Sequence, residues 1–413
     1  MTFRTSLSGL DAASTDLSVV GNNIANASTN GFKQSRAEFV DVFATTFTGV
    51  SGNTPGSGVR VATVAQQFGQ GNIEFTSSNL DLAISGEGFF IVDDSGAQAY
   101  TRAGAFTTDR DGFVVDSSGR QLQAFPPNNN GTFNTGSLSS VQLSTSDSAP
   151  NPTSTVTPTL NLDARQAVPT NPAFDPLDAN SYNHSTSTTI YDSLGNGFPA
   201  TMYFQSSNPV LNTWNVFTEV NNSPVTIGGA ASFPLAFNTD GTFQSANGAV
   251  TGQVTLDNTS IGNGSAPIGL TYDYSQMTQF GGDFAVNGLS QNGFASGRLN
   301  GIDIDPTGVI FAQFTNGQTS SLGQIAMATF PNAQGLRQLG DSSWAETFSS
   351  GNRTVGSGGT AGFGLLQSGA LESSNVDIAT QLVNLITSQR NFQANAQAIS
   401  TQDTIQQAII NIR

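Results

Sequence analysis

Two short acidic segments are the first places in this 413-residue chain where residue types and spacing suggest chemistry. Each carries part of a calcium-loop pattern, in which acidic residues at alternate positions precede a glycine: Asp109, Asp111 and Gly112 in one, and Asp303, Asp305 and Gly308 in the other. A calcium loop also needs an acidic ligand at its twelfth position, and neither segment has one there. We therefore interpret both segments as turns.

Residue types that do nucleophilic, redox or acid–base chemistry are scarce. The chain has no Cys and one His, His184, which we interpret as an exposed loop or strand-edge residue because its neighbours are polar. Asp93 and Asp94 are adjacent, so on a strand they would face opposite sides and make a poor acid–base pair. The GEG segment at 86–88 lacks the strand-to-helix context of a phosphate-binding loop. The sequence therefore predicts no catalytic, metal or cofactor-binding site, and no enzyme.

The charge balance makes further classes of protein improbable. Thirteen basic residues against 29 acidic ones leave a net charge of −16, whereas surfaces that bind nucleic acid or anionic membranes need clustered cations. Only 10% of residues are charged, and the only lysine is Lys33. No apolar run approaches the ~18 residues of a transmembrane helix, and the amino terminus lacks the apolar stretch of a signal peptide. We expect no nucleic-acid partner, no membrane span and no cleaved signal peptide.

Apolar residues at helical spacing mark both ends of the chain. From Phe3 to Ala27 they recur every three or four residues, which predicts a helix with one apolar stripe. Near the other end a second stripe has the heptad spacing of a coiled coil: Ile378, Leu382, Leu385, Gln389, Phe392, Ala396 and Ile399. Isolated helices of this length are marginal in water. We therefore expect the first and last segments to pair with each other and then with copies from other molecules.

The polar face of the second predicted helix is rich in amides rather than charges. Asn and Gln occupy most of its positions, whereas an ordinary exposed helix mixes Glu and Lys. We expect this face to meet other helices or to line a passage, and a neutral solvated face is the alternative. Ser374 followed by Asp377 predicts a capping box at the start of the helix.

Between the helices, short apolar runs alternate with Gly-containing turns, which indicates β structure. A Pro- and Thr-rich boundary at 149–176 precedes a second β-rich block. We therefore predict an α+β multi-domain fold. Its terminal helices pair as a coiled-coil-like inner domain, its all-β middle domain is discontinuous, and a further β domain is inserted in that middle domain.

Three separated segments resemble the bacterial flagellar rod and hook axial proteins. Residues 5–43 resemble the family's amino-terminal signature, in which a helix leads into NNIANASTNGFK. Residues 80–92 and 100–122 resemble its β segment, and residues 369–413 resemble its carboxy-terminal helix. Within the family the hook proteins are the closest match, because 277–310 and 322–336 are similar to hook-protein sequence. The shorter rod proteins also lack the long inserted block.

The resemblance implies a structural role outside the cell. In this family the terminal helices of many subunits form an inner tube around a channel, β domains form the outer layers, and subunits leave unfolded through the flagellar type III export apparatus. The resemblance implies a subunit of the hook of the flagellar basal body, a curved self-assembled tube that works as a flexible joint and passes torque to the filament. Implied partners are other copies of the chain, the rod, hook-cap and hook–filament junction proteins, and the export apparatus.

The residues expected to carry these roles fall into three groups. Inter-subunit helix packing is assigned to Leu7, Leu10, Leu17, Val20, Ile24, Ile378, Leu382, Leu385, Phe392 and Ile399. The connection into the β domains is assigned to the family-motif positions Asn22, Asn23, Asn26, Asn30, Gly31 and Phe32. Channel lining is assigned to Gln393, Gln397 and Gln407.

The expected domain organisation has four parts, three of them built from two stretches of chain. Residues 1–30 with 370–413 form the helical polymerisation domain, and 31–70 with 350–369 form a connecting segment. Residues 71–148 with 281–349 form the β domain, and 149–280 form the inserted outer β domain.

Two other functions stay open at this point. A distal rod subunit would share the terminal helices but would form straight, rigid polymers. A secreted β-rich adhesin would fit the middle of the chain, but it has no need of paired terminal helices.

Overall fold

The structure is a computed structural model that describes residues 2–42, 56–128, 130–143, 147–360 and 362–411. Helices α1 (Thr2–Ala25) and α2 (Ile378–Asn411) lie at the two ends of the chain and pack together. Strands fill the chain between them, so the predicted α+β class is confirmed. Residues 43–55, part of the predicted connecting segment and of the amino-terminal signature, lie outside the described residues.

Thirty strands are found in the described ranges. The first ten are β1 (Ser35–Asp41), β2 (Val59–Gln66), β3 (Ile73–Phe75), β4 (Leu82–Ser85), β5 (Phe89–Asp94), β6 (Ala97–Thr101), β7 (Thr107–Thr108), β8 (Val114–Val115), β9 (Gln121–Phe125) and β10 (Ser139–Ser140). The next eleven are β11 (Thr155–Asp163), β12 (His184–Tyr191), β13 (Gly197–Asn208), β14 (Thr213–Val220), β15 (Ser223–Val225), β16 (Ser232–Phe237), β17 (Phe243–Ala246), β18 (Gln253–Thr255), β19 (Thr271–Asp273), β20 (Thr278–Phe280) and β21 (Ala285–Gln291). The last nine are β22 (Leu299–Ile304), β23 (Val309–Phe314), β24 (Thr319–Ile325), β25 (Met327–Thr329), β26 (Arg337–Gly340), β27 (Ser343–Ala345), β28 (Thr354–Gly356), β29 (Leu365–Ser368) and β30 (Ala370–Glu372).

Asp377 caps the start of α2. Its carboxylate accepts the backbone N–H of Thr380 at 2.6 Å, which satisfies an amide of the first helical turn and lowers the pKa of Asp377. The predicted capping box, which placed Ser374 at this position, is wrong. Ser374 lies before the helix, where its hydroxyl accepts the N–H of Val376 at 3.3 Å.

The chain divides into two compact units. Unit 1 comprises Met1–Ser144, Gly301–Gln313 and Thr319–Arg413. Unit 2 comprises Thr145–Asn300 and Phe314–Gln318. The finer division of unit 1 into helical, connecting and β domains stays a prediction.

The largest sheet runs in the order β22-β23-β24-β9-β5-β6-β27-β26, with further short strands at its sides. Neighbouring residues of β5 belong to different core clusters: Phe90 and Val92 pack in one, and Phe89 and Ile91 pack in the other with Trp344. Because successive side chains of a strand point to opposite faces, the sheet is covered by apolar side chains on both faces.

Within the described residues one type of turn occurs six times, four times in unit 1 and twice in unit 2. The backbone N–H of an Asp or Asn donates to the carbonyl of the residue four positions later. The carbonyl of the same Asp or Asn accepts the N–H of a Gly three positions later. The turns begin at Asp109, Asp116, Asn128, Asp192, Asn238 and Asp305. Each Gly has φ between +77° and +88°, a conformation that favours glycine. The Asp109 and Asp305 carboxylates accept backbone N–H groups within their own turns at 2.8 to 2.9 Å, so the predicted turns at these positions are confirmed.

Unit 2 contains two sheets that share one core. The first has the order β18-β19-β11-β20 with β21 beside β11, and the second has the order β12-β13-β14-β16-β17 with β15 beside β14. Apolar side chains from both sheets, among them Leu160 and Tyr272 from the first and Phe204 and Trp214 from the second, form a single buried cluster. The unit is therefore a β-sandwich.

His184 begins β12, the edge strand of the second sheet. Its ring stacks on Phe284 with ring centroids 4.4 Å apart and lies 6.0 Å from the Trp214 ring. The predicted strand-edge position is confirmed, but the predicted exposure is wrong because the ring is half-buried between its aromatic neighbours. Burial lowers the pKa of His184.

Candidate functional site

The candidate site is the antiparallel pair formed by α1 and α2 together with the segments that leave it. Asn23 donates to Gln381 Oε1 at 3.3 Å, and the Ser388 hydroxyl donates to the Asp16 carboxylate. A Cβ on Gly9 would lie 2.6 Å from Asn395 Oδ1. The contacting positions fall by seven on α1 while they rise by seven on α2. The seam between the helices therefore has one register, with a hydrogen bond between the helices in two successive heptads and a close Gly9–Asn395 contact in the third.

Apolar side chains occupy the layers between these polar contacts. Val20, which is buried, lies between Asp16 and Asn23 on α1, and Leu385 lies between Gln381 and Ser388 on α2. The register therefore places Val20 opposite Leu385, and one heptad further along it places Ala13 opposite Phe392. The seam alternates apolar layers with polar ones.

The residues predicted to carry helix packing divide into two sets. Those buried or half-buried in the single chain are Leu10, Leu17, Val20, Ile24, Leu385, Phe392 and Ile399. Those exposed are Leu7, Ile378 and Leu382. Pairing within the chain thus leaves part of the apolar stripe of α2 exposed.

An exposed apolar row lies at the amino-terminal end of α2. Ile378, Leu382 and Ile386 are 51%, 46% and 49% exposed, and Val383 beside them is also exposed. We call Ile378, Leu382, Val383 and Ile386 the outer row. Single exposed apolar residues are ordinary, but four within nine residues of one helix make a continuous surface that water solvates poorly.

Asn23, one of the family-motif positions, fastens the end of α1 to the segment that follows it. Its side chain donates to the Ser35 carbonyl and accepts the Ser35 N–H, both at 2.8 Å. An amide carries the donor and the acceptor that this pairing needs, and a carboxylate would lack the donor.

The remaining motif positions shape the turn between α1 and β1. Asn26 donates to Asn22 Oδ1 at 2.6 Å, and Asn30 is exposed. Gly31 has φ +68°, and a Cβ there would lie 2.4 Å from the backbone nitrogen of Ala103. Phe32 is buried. The motif therefore turns the chain through a space that only glycine fits.

A buried ion cluster lies directly after this turn. Lys33 donates to Glu372 Oε1 at 2.6 Å and to the Gly69 carbonyl at 2.8 Å. Arg102 donates to Glu372 Oε2 at 3.2 Å, and its guanidinium lies 5.4 Å from the Phe89 ring centroid. The side chains of Lys33, Arg102 and Glu372 are at most 3% exposed. The cluster joins the segment after α1 to the strand that precedes α2.

Burial lowers the pKa of Lys33, and Glu372 opposes that shift. The cost of burying the ammonium therefore exceeds the attraction of the neighbouring carboxylate. No expectation from the sequence included this cluster. Its signal was the presence of a single lysine in the whole chain, since a residue type used only once suggests a specific partner.

The glutamines predicted to line a channel are exposed in the single chain. Gln393 and Gln397 have no side-chain hydrogen bond within the described residues, and Gln407 donates to Asp403 at 3.3 Å. By contrast, Gln381 and Ser388 of the same amide-rich helix are buried against α1. The polar side chains of α2 thus fall on two different surfaces.

No group of three or more His, Asp or Glu side chains in the described ranges could hold a metal ion. None of the helices traced there is long and apolar enough to cross a membrane. The arrangement offers helix surfaces and buried polar contacts rather than a cleft with reactive groups.

Four family models match consecutive parts of the chain. Residues 3–33 match "Flagella basal body rod protein" and residues 83–156 match "Flagellar hook protein FlgE/F/G D1 domain". Residues 161–294 match "Flagellar basal body protein FlaE D2 domain" and residues 367–412 match "Flagellar basal body rod FlgEFG protein C-terminal".

Curated relatives match the chain over its full length. The flagellar hook protein FlgE of Escherichia coli (strain K12) is 38% identical over 427 residues, which cover 100% of both chains. The FlgE of Borreliella burgdorferi is 32% identical, with 98% of each chain covered. Among solved structures, the Helicobacter pylori flagellar hook protein FlgE2 matches with a TM-score of 0.53 and 17% identity, covering 73% of this chain and 100% of that one. At that identity the structural match supports the fold alone.

Proposed function

The chain belongs to the flagellar hook protein family, and on that premise we propose that it is the structural subunit of a bacterial flagellar hook. Many copies assemble into a curved tube, which is a flexible joint between the rod and the filament. The subunit does no catalysis. The observation that carries the proposal, beside the full-length relatives, is the outer row on a helix that already has a partner within its own chain.

The outer row supports self-assembly because its side chains remain unpaired after the chain has folded. Burying four large apolar side chains against a neighbouring copy would stabilise a contact by several kcal/mol, at ~25 cal/mol per Å² of apolar area. We propose that Ile378 and Leu382, two of the residues assigned to inter-subunit packing, meet the terminal helices of another copy. Leu10, Leu17, Val20, Ile24, Leu385, Phe392 and Ile399 then hold the pair within each copy, and Leu7 is available to both.

The scarcity of charge suits a joint that bends. A rotating curved tube shortens and lengthens each row of subunits on every turn, so contacts between the outer parts of neighbouring copies must break and re-form at low cost. Amide, hydroxyl and water-mediated contacts have many nearly equivalent partners, unlike large apolar patches or specific ion pairs. We propose that the exposed amides Gln393, Gln397 and Gln407 line the channel, where a neutral wall neither traps nor repels unfolded cargo.

The finer parts of the proposal concern location and partners. We propose that the subunit lies outside the cell, leaves without a cleaved signal peptide through the flagellar export apparatus, and meets the rod, the hook cap and the hook–filament junction proteins. What supports these partners is membership of the family, together with the two rod-type family models at the ends of the chain.

Electron microscopy of the purified full chain tests the proposal. We expect curved tubes from the natural chain and only monomers from Leu382→Glu/Ile386→Glu, because two carboxylates in the outer row cannot be buried against a neighbour. Thr387→Glu/Asn391→Glu is the matched control, since it adds the same charge with the same spacing at exposed polar positions on another face of α2, and it should still form tubes. Straight tubes would favour a rod subunit, and tubes from Leu382→Glu/Ile386→Glu would contradict the role of the outer row.

A further inference from the structure

The polar layers of the α1–α2 seam are unusual for a helix pair. The apolar layers, which place Val20 opposite Leu385 and Ala13 opposite Phe392, are separated by the layers Asn23–Gln381, Asp16–Ser388 and Gly9–Asn395. Asn23, Gln381 and Ser388 are at most 6% exposed. Polar side chains at such positions weaken a coiled coil compared with leucine, so their presence calls for a role other than stability.

The apolar layers cannot define how far α2 is displaced along α1. Apolar contacts have no direction, and a slip of one heptad would still place an apolar residue opposite Val20: Phe392 for a slip in one sense and Ile378 for a slip in the other. Apolar packing alone therefore offers three registers of similar quality.

The polar layers differ from one another in the side chains and the hydrogen bonds that form them. Gln381 accepts from Asn23 and donates to Gln34 Oε1 at 3.2 Å, so it is tied to α1 and to the segment after it. Asn395 fits because Gly9 has no side chain. A slip of one heptad in the first sense would put Asn395 against Asp16 and would take Gln381 away from both of its partners.

We propose that these three polar layers are the positioning residues that fix the register of α1 on α2. A buried polar group without its partner costs far more than an exposed one. The slip in the first sense is disfavoured because it leaves Gln381 beyond the end of α1. The slip in the other sense is disfavoured because it puts Ser388 against Gly9, which has no side chain to accept its hydrogen bond. A slip of seven residues moves α2 by about 10 Å. In a tube this shift would displace the outer row of every subunit, a consequence that rests on the proposed function. The register itself is a property of the single chain.

Disulfide cross-linking of the dilute full chain tests the proposal, because the natural chain has no Cys. Val20→Cys/Leu385→Cys reports the observed register. Val20→Cys/Phe392→Cys and Val20→Cys/Ile378→Cys report the two slipped registers. A shift of about 10 Å exceeds the reach of a disulfide, whose Cα atoms lie within ~7 Å. The intramolecular product is separated from dimers by non-reducing electrophoresis.

Each reporter pair is placed in three backgrounds. The first is the natural sequence. The second, Asp16→Ala/Gln381→Leu/Ser388→Ala, removes two layers but keeps Asn23 and its bonds to Ser35. The third, Ser18→Ala/Thr387→Ala/Gln389→Leu, makes matched changes at exposed positions of the same helices.

We expect the natural and control backgrounds to give the observed-register product alone. Removing these two layers should raise the yield of a slipped-register product about tenfold or more. Unchanged yields in the second background would overturn the proposal. If that background gives no product from any pair, the helices have separated, and Gln381→Leu alone decides the question. That variant keeps two layers, so a rise in slipped product supports the proposal and its absence contradicts it.

Discussion

The charges of the buried cluster of Lys33, Arg102 and Glu372 predict the order of stability of its variants. The cluster has two cations and one carboxylate, so it carries a net charge of +1 out of contact with water. Replacing Glu372 with Gln would leave two buried cations facing one another. Removing one partner of a buried ion pair costs about 3–5 kcal/mol, and we expect Glu372→Gln to lower the free energy of unfolding of unit 1 by that amount.

Replacing Lys33 with Met should cost less. The change removes the Lys33 bond to the Gly69 carbonyl, but that carbonyl still accepts from the Asn375 amide at 3.0 Å. Glu372 likewise keeps Arg102 at 3.2 Å and the Gly71 N–H at 2.8 Å as partners. It also removes an ammonium whose pKa is lowered chiefly by burial. Lys33→Met/Glu372→Gln should therefore be more stable than Glu372→Gln, because the second change removes an uncompensated cation.

The assay is urea unfolding of the full chain followed by the fluorescence of Trp344, which is buried in unit 1, in a Trp214→Phe background. A matched set with Trp214 retained and Trp344→Phe reports unit 2, whose transition should not move. The loss of unfolding free energy that Glu372→Gln causes should become smaller as the pH rises toward 10. Lys33 has a lowered pKa, so the unfolded state binds more protons and stability rises with pH. Two results would refute this account of the charges. One is that Lys33→Met lowers the free energy of unfolding at least as much as Glu372→Gln does. The other is that the double variant is less stable than either single variant.

Three further outcomes follow from single positions. Gly31→Ala should destabilise unit 1 by at least about 1 kcal/mol, because φ is +68° and the new methyl would meet the Ala103 backbone; an unchanged urea midpoint would contradict this. Burial, with the nearby Glu219 carboxylate, raises the pKa of Tyr203 to about 12, so its contribution to stability is complete below pH ~10 and is lost as the pH rises through 12. Tyr203→Phe should therefore lose less stability than the natural chain across that window, as measured by Trp214 fluorescence, and equal losses would show that Tyr203 ionises freely. Replacing the proposed channel residues Gln393, Gln397 and Gln407 with Lys should slow filament growth on cells while hooks still assemble. Unchanged growth would exclude the channel assignment.

The helices at both ends were predictable from periodicity, but the surface on which they pair was not. The spacing of Leu385, Phe392 and Ile399 identified one edge of the seam. The other edge contains Gln381 and Ser388, whose residue types suggest an exposed or channel-lining face. They are buried because Asn23 and Asp16 supply hydrogen-bond partners, and a partner on a distant segment leaves no periodic signal in the sequence.

The β units show the same division between local and distant information. Turns such as the one at Asp305 could be predicted, because the Asp, the Gly and the bonds between them lie within five residues. The pairing of β4 with β29, or of β3 with β30, joins strands roughly three hundred residues apart. No local pattern specifies such a pairing, since alternation predicts only which face of a strand is buried.

The distances between partners along the chain also set an order of folding. The hairpin turns close within four residues, whereas Asn23 and Gln381 are separated by 358 residues and Lys33 and Glu372 by 339. The entropy lost on closing a loop grows with its length, so short hairpins form first. The segment that becomes α1 is made before the segment that becomes α2 and must wait for it. During that wait, Asp16 and Asn23 in the middle of its contact face make it a poor match for any purely apolar surface.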